Sequence, residues 1–95
     1  MASIHVSCAP VTDGWTCQVT VGDDAGATHH EVAVEAGVLG DLAPPGTTPA
    51  QLVEASFAFL LEREPRGSIL GRFDLPVIGR YFPEFPTVIR ERLEA

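Results

Sequence analysis

The chain has 95 residues, 45% of them hydrophobic, which suits one globular domain with a modest core and does not suit a disordered tail. Its six basic residues, all arginine, stand against 13 carboxylates and leave a formal net charge of −7. That balance argues against direct nucleic-acid binding, which depends on neutralising phosphates, and favours basic partner surfaces.

The first third alternates with a period of two. Ile4, Val6 and Cys8 share one face, with His5 and Ser7 on the other. After Pro10-Val11-Thr12-Asp13-Gly14, the residues Trp15, Cys17, Val19 and Val21 fall on one side and Thr16, Gln18 and Thr20 on the other. Residues 22–26 are a turn by composition, and Thr28, His30, Val32 and Val34 then alternate with His29, Glu31, Ala33 and Glu35. The pattern predicts a three-stranded antiparallel meander over residues 3–35 with one buried face. If Val11 and Gly14 close a two-residue loop, Cys8 faces Cys17, Val6 faces Val19 and Ile4 faces Val21. Each inward residue then meets an apolar partner, which favours this register. A shift by two residues keeps the faces and separates the cysteines.

Residues 36–43 are expected to form one or two helical turns through Val38, Leu39 and Leu42, ended by Pro44-Pro45-Gly46. The main helix lies within residues 48–64. Thr48 is its N-cap, Pro49 its first helical residue, and Gln51 stands where a capping box requires it. Its expected end is Glu64, because Pro65 disfavours helical geometry in the residue before it. Leu52, Val53, Ser56, Phe57, Phe59, Leu60 and Leu61 cover more than half its circumference, wider than the stripe of a surface helix. One side packs on the sheet. The remainder needs cover from the C-terminal segment or from a second chain, so a homodimer is a candidate.

Residues 68–94 are expected to supply short helices. Ser68 caps a turn through Ile69, Leu70 and Phe73. Asp74 caps a second helix that uses Val77, Ile78, Tyr81 and Phe82 and stops at Pro83. Pro86 opens a last helix to about Leu93. The expected fold is α+β, a single domain over residues 1–95, in which a three-stranded antiparallel meander packs on one main α-helix followed by short C-terminal helices.

Few residues suggest chemistry. No secretory leader is visible, and the longest apolar stretch, Phe57 to Leu61, is far too short to cross a bilayer, so a cytoplasmic setting and no membrane partner are expected. Cys8 and Cys17 are then expected to be reduced core residues, with a cross-strand disulfide as the alternative. Cys8, Cys17 and His30 could share a face as metal ligands, but the paired C-x2-C spacing of structural zinc sites is missing. No nucleophile motif and no glycine-rich phosphate loop is present, so no catalytic residue, cofactor or enzyme activity is assigned. Glu62, Arg63, Glu64 and Arg66 read as a solvated charged face with weak pairing.

The stretch SILGRFDLPVIGRYFP, residues 68–83, has three readings. As a helix-turn-helix, Ile69 to Phe73 would be its first helix and Pro76 to Phe82 the reader, but both are short and only Arg80 is a basic reading side chain. The run could otherwise be a lid on the core. Its aromatic and arginine residues also suit a protein interface, with Arg66, Arg72, Phe73, Arg80, Tyr81 and Phe85 as the candidate interaction surface.

The segment SFAFLLEREPRGSILGRFDLPVIGRYFPEF, residues 56–85, resembles a family of small bacterial proteins whose C-terminal region has the form SFxFLLEREPxxSILxxFDLxxIxxYFPE after a weak β region. Gly71 and Gly79 stand where those sequences carry a longer polar side chain. The resemblance implies no activity and transfers no catalytic residue. A looser likeness is to small antitoxin-type domains that join a short sheet to a helix. The functional expectation is a non-enzymatic protein-interaction or regulatory module. The alternatives are an antitoxin-like or helix-turn-helix regulator linked to nucleic acid, and a small-ligand or metal-binding domain.

Overall fold

Val11 and Gly14 close a two-residue loop in the computed structural model, which describes residues 3–23 and 25–94. That loop sets the pairing of strand β1 (Ile4–Val11) with β2 (Gly14–Val21), so Cys8 faces Cys17, Val6 faces Val19 and Ile4 faces Val21. This is the register that pairing of apolar residues favours. Gly14 has to be glycine for space, since a Cβ there would run into the carbonyl oxygen of Val34. Gly22 takes a φ of 98°, the left-handed region, as the chain turns away from β2 towards β3 (Thr28–Glu35).

β3 pairs antiparallel with β2, placing Trp15 opposite Val34, Cys17 opposite Val32 and Val19 opposite His30. The inward face buries Cys17, Val19, Val21, Val32 and Val34. Ile4, Val6 and Cys8 on the edge strand β1 are half-buried, because only one neighbouring strand flanks them.

α1 (Ala36–Leu42) follows β3 directly, and α2 (Pro49–Leu61) begins with the expected capping box. The Thr48 hydroxyl accepts the Gln51 N–H at 3.1 Å, and the Gln51 side chain accepts the Thr48 N–H at 2.9 Å. The helix ends at Leu61, three residues short of the expected Glu64. There the chain tightens, with the Arg63 N–H reaching back only three residues to Leu60 O, before Pro65 turns it into a short 3-10 turn, Arg66–Ser68.

The broad apolar face of α2 is covered by the same chain. Phe57 and Phe59 lie two positions apart, about 200° around the helix, and so serve opposite sides. Phe57 packs towards the sheet, with ring centres 5.2 Å from His30 and 6.1 Å from Phe73. Phe59 packs edge-on against Phe85 at 5.2 Å and Phe82 at 5.9 Å. α2 thus lies between the sheet and α4 (Phe85–Glu94), whose Phe85 and Ile89 are buried. The width that suggested a second chain is accounted for within one. Ser56, buried in the middle, satisfies its hydroxyl by donating to Leu52 O at 2.7 Å.

The C-terminal region departs most from expectation. Arg72–Asp74 forms a fourth strand, β4, parallel to β3, and the sheet is four-stranded and mixed in the order β1-β2-β3-β4. Its ladder runs from the Glu31 N–H to Gly71 O at 2.8 Å and from the Leu75 N–H to Ala33 O at 3.0 Å. Phe73 is therefore a strand residue facing the core, and Asp74 belongs to that strand and caps no helix. Ser68 likewise ends the 3-10 turn and begins no helix. α3 (Val77–Tyr81) has Pro76 at its N-cap and no side-chain capping bond.

Candidate functional site

The last turns of α2 and the segment after it build a groove. Leu60 ends the buried stripe of α2, and Glu64 stands one turn beyond it. Pro65 and the 3-10 turn then reverse the chain, and residues 69–71 lead into β4. α3 contributes Val77, Ile78, Tyr81 and Phe82, the i, i+1, i+4, i+5 pattern of one helical face. Together with Ser68, Ile69, Leu70 and Phe73 these side chains enclose a cavity of about 460 Å³ that opens to solvent. A space of this size accommodates a large side chain or a small ligand.

The floor is apolar and buried, formed by Leu60, Ile69, Phe73 and Ile78. The rim is different. Leu70 is 48% exposed and Tyr81 66% exposed. Among the described residues, Glu64 is the only charged side chain lining the groove. Glu64 is half-buried as a residue, and its carboxylate has no hydrogen-bond or ion-pair partner among them.

The groove wall is fastened to the sheet. The buried His30 hydrogen-bonds Leu70 O through Nδ1 at 2.8 Å and the Thr28 hydroxyl through Nε2 at 2.9 Å. A carbonyl only accepts, so Nδ1 carries a proton, and in the neutral ring Nε2 accepts from the Thr28 hydroxyl. On the outer face Arg72 pairs with Glu31 at 3.0 Å, and Gln18 donates to the same carboxylate at 3.2 Å. The other wall is fastened to α4. The Arg63 guanidinium lies 3.6 Å from the centre of the Phe59 ring and donates to Phe59 O, Glu62 and Glu84. Arg92 on α4 donates to Glu62, and this bond is the main reason the Glu62 carboxyl is held below the usual glutamate range. The charged cluster at the end of α2 is solvent-exposed, as expected, and its ion pairs clasp α2 to α4.

The six candidate interface residues separate. Phe85 is buried away from the groove, and Phe73 is buried in the groove floor, so neither presents an exposed side chain. Tyr81 is the exposed aromatic of the groove rim. Arg80 is exposed but does not line the groove. Arg72 is committed to Glu31. Arg66 is half-buried against the backbone at Gly22. The sequence reading missed Glu64 by treating it as one of a charged run; it lies just past the end of α2, beside the turn that builds the groove.

The other constellations are not assembled. Cys8 and Cys17 are joined in a disulfide, correcting the expectation of two reduced thiols. That expectation came from the assumed compartment, whereas the register itself brings the pair together. His30 lies opposite Val19, its two nitrogens already engaged, so no Cys8, Cys17 and His30 ligand set exists. Among the described residues no group of three or more His, Cys, Asp or Glu is placed to hold a metal. The helix-turn-helix lacks its first helix, because residues 69–73 are extended chain and strand. At the far edge of the sheet Ser3 donates to Asp23 at 2.5 Å and His5 meets the other carboxylate oxygen at 2.8 Å. The Ser3 bond, with His5 second, holds the Asp23 carboxyl below its ordinary value. The serine proton is directed to the carboxylate and not to the imidazole, which is not the relay a nucleophilic serine uses.

No family model matches the chain, and no curated protein or solved structure matches it either. No helix of the described residues is long and apolar enough to cross a membrane.

Proposed function

We propose that this chain is a non-enzymatic interaction module whose groove between the end of α2 and α3 receives an apolar side chain of a protein partner. One observation carries this reading: an apolar cavity of about 460 Å³ stands open in a small domain, with Tyr81 and Leu70 exposed at its rim. Aromatic residues beside a desolvated pocket are where binding energy concentrates in protein interfaces. A rigid wall suits the role, and the ladder to β3, the His30 bond and the Arg63 clasp hold both walls in place. Among the six candidates Phe73 lies in the groove floor and Tyr81 on its rim.

The test is site-specific photocrosslinking in cells. A photoreactive phenylalanine analogue replaces Tyr81 in one strain and Ser7, on the opposite open face of the sheet, in another. A discrete adduct at Tyr81 that is absent at Ser7 supports the module. Equal labelling at both positions, or none at Tyr81, overturns it.

A further inference from the structure

We infer that the groove recognises a basic apolar segment, in which a large aliphatic or aromatic side chain fills the cavity and a neighbouring lysine or arginine pairs with Glu64. The inference rests on the interaction-module reading and names the partner's chemistry.

Three observations converge on it. The cavity floor of Leu60, Ile69, Phe73 and Ile78 offers no hydrogen-bonding side chain, so whatever fills it is apolar. The other carboxylates at the end of α2 and the start of α4 are committed: Glu62 to Arg92 and Arg63, and Glu84 to Arg63. Among the described residues Glu64 is the one carboxylate that faces the groove, and none of them supplies it with a cation. A carboxylate beside an apolar wall gains more from a cation than one in open water does, because the wall lowers the local dielectric. Tyr81, which lines the same groove, presents an aromatic ring, and such a face also attracts ammonium and guanidinium groups. The surroundings agree in sign. The chain carries a net charge of −7, which steers basic segments towards it and repels acidic ones. Arg80 lies off the groove, Arg72 is neutralised by Glu31, and Arg66 lies towards Gly22, so none lines the groove to oppose a cation.

The test is an NMR titration of the full isotope-labelled chain with three capped hexapeptides that share four leucines. In the first the two remaining positions are lysine, in the second glutamine, in the third glutamate. The inference predicts shifts at Leu70, Val77 and Tyr81 in the order lysine, glutamine, glutamate from tightest to weakest. Glu64→Gln, which keeps the shape of the groove, should cost the lysine peptide roughly fivefold in affinity, the worth of one partly exposed ion pair, and leave the glutamine peptide unchanged. The dispersion of the variant's own spectrum shows that it is folded. Equal binding of all three peptides, with Glu64→Gln silent, overturns the cation preference and leaves the groove as an apolar site. No shift at groove residues with any peptide overturns both the preference and the interaction-module reading.

Discussion

The imidazole of His30 donates to the carbonyl of Leu70 at 2.8 Å, across forty residues of sequence, and so ties the centre of the sheet to the rim of the groove. In the neutral ring its other nitrogen accepts from Thr28, and the ring packs on Phe57. Replacing it with leucine keeps the apolar contact but strands a carbonyl and a hydroxyl. His30→Leu should cost about 1–3 kcal/mol of stability, the penalty for leaving such groups unpaired. The loss should be local as well as global. Amide exchange at Glu31, whose N–H bonds Gly71 O, should accelerate more than exchange at Val19. Uniform acceleration would mean that the histidine is merely a core residue.

The Cys8–Cys17 disulfide closes a short loop across the β1–β2 hairpin. Removing loop-closure entropy from the unfolded chain makes such a bond worth about 2–4 kcal/mol, so reduction should lower the urea midpoint by that amount divided by the slope of unfolding. Alkylating the protein under denaturing conditions straight from cells should find both sulfurs protected. Disulfides persist in oxidising compartments, so two free thiols in that experiment would return the protein to the reducing setting that its sequence suggested.

Phe85 and Tyr81 were both candidates for the same surface and should now behave as opposites. Phe85 is fully packed between α4 and Phe59, and Phe85→Ala should cost about 3–5 kcal/mol, enough to leave a domain of this size marginal or unfolded. Tyr81→Ala should shift stability by about 0.5 kcal/mol or less, as exposed positions do. Comparable losses for the two in chemical denaturation would show that the groove rim is part of the core.

Acid should loosen the clasp between α2 and α4 in a defined direction. The hydrogen bond from Arg92 keeps the Glu62 carboxyl below its ordinary value in the folded protein. The unfolded chain therefore binds a proton there first, and stability rises with pH across that window. The contribution is complete above the ordinary glutamate value and disappears as the pH falls through the depressed one. Arg92→Gln should be less stable than the parent near neutral pH, and the two curves should converge in strong acid. A deficit that is constant with pH would mean that Arg92 acts by packing on Phe59 and not by charge.

Much of the fold is written in local pattern. The alternation of Trp15, Cys17, Val19 and Val21 against Thr16, Gln18 and Thr20 fixes the face of β2, and the Thr12–Asp13 loop fixes its register with β1. Thr48, Pro49 and Gln51 mark the start of α2 without ambiguity. β4 escaped because three residues carry too little periodicity, although Arg72, Phe73, Asp74 and Leu75 do alternate outward and inward. Its pairing with β3 is also parallel and spans two helices, a relationship that no neighbouring residue encodes. The groove was legible only in part for the same reason. Tyr81 stands out as an aromatic beside an arginine, but Glu64 acquires its role only when Pro65 folds residues 68–82 back across it. The two cysteines show the reverse case. Their register was legible, and the bond followed from it, while the compartment argument pointed elsewhere.

The groove stands or falls on whether Leu70 and Tyr81 face water while Ile69, Phe73 and Ile78 do not. The direct measurement is relaxation enhancement by a soluble paramagnetic agent, read at the methyl and ring protons of these five residues in the free protein. Strong broadening of Leu70 and Tyr81 with protection of the other three is the predicted result. Protection of all five at the level of Val19 would show that residues 68–82 close over the core as a lid, leaving no open site for a partner.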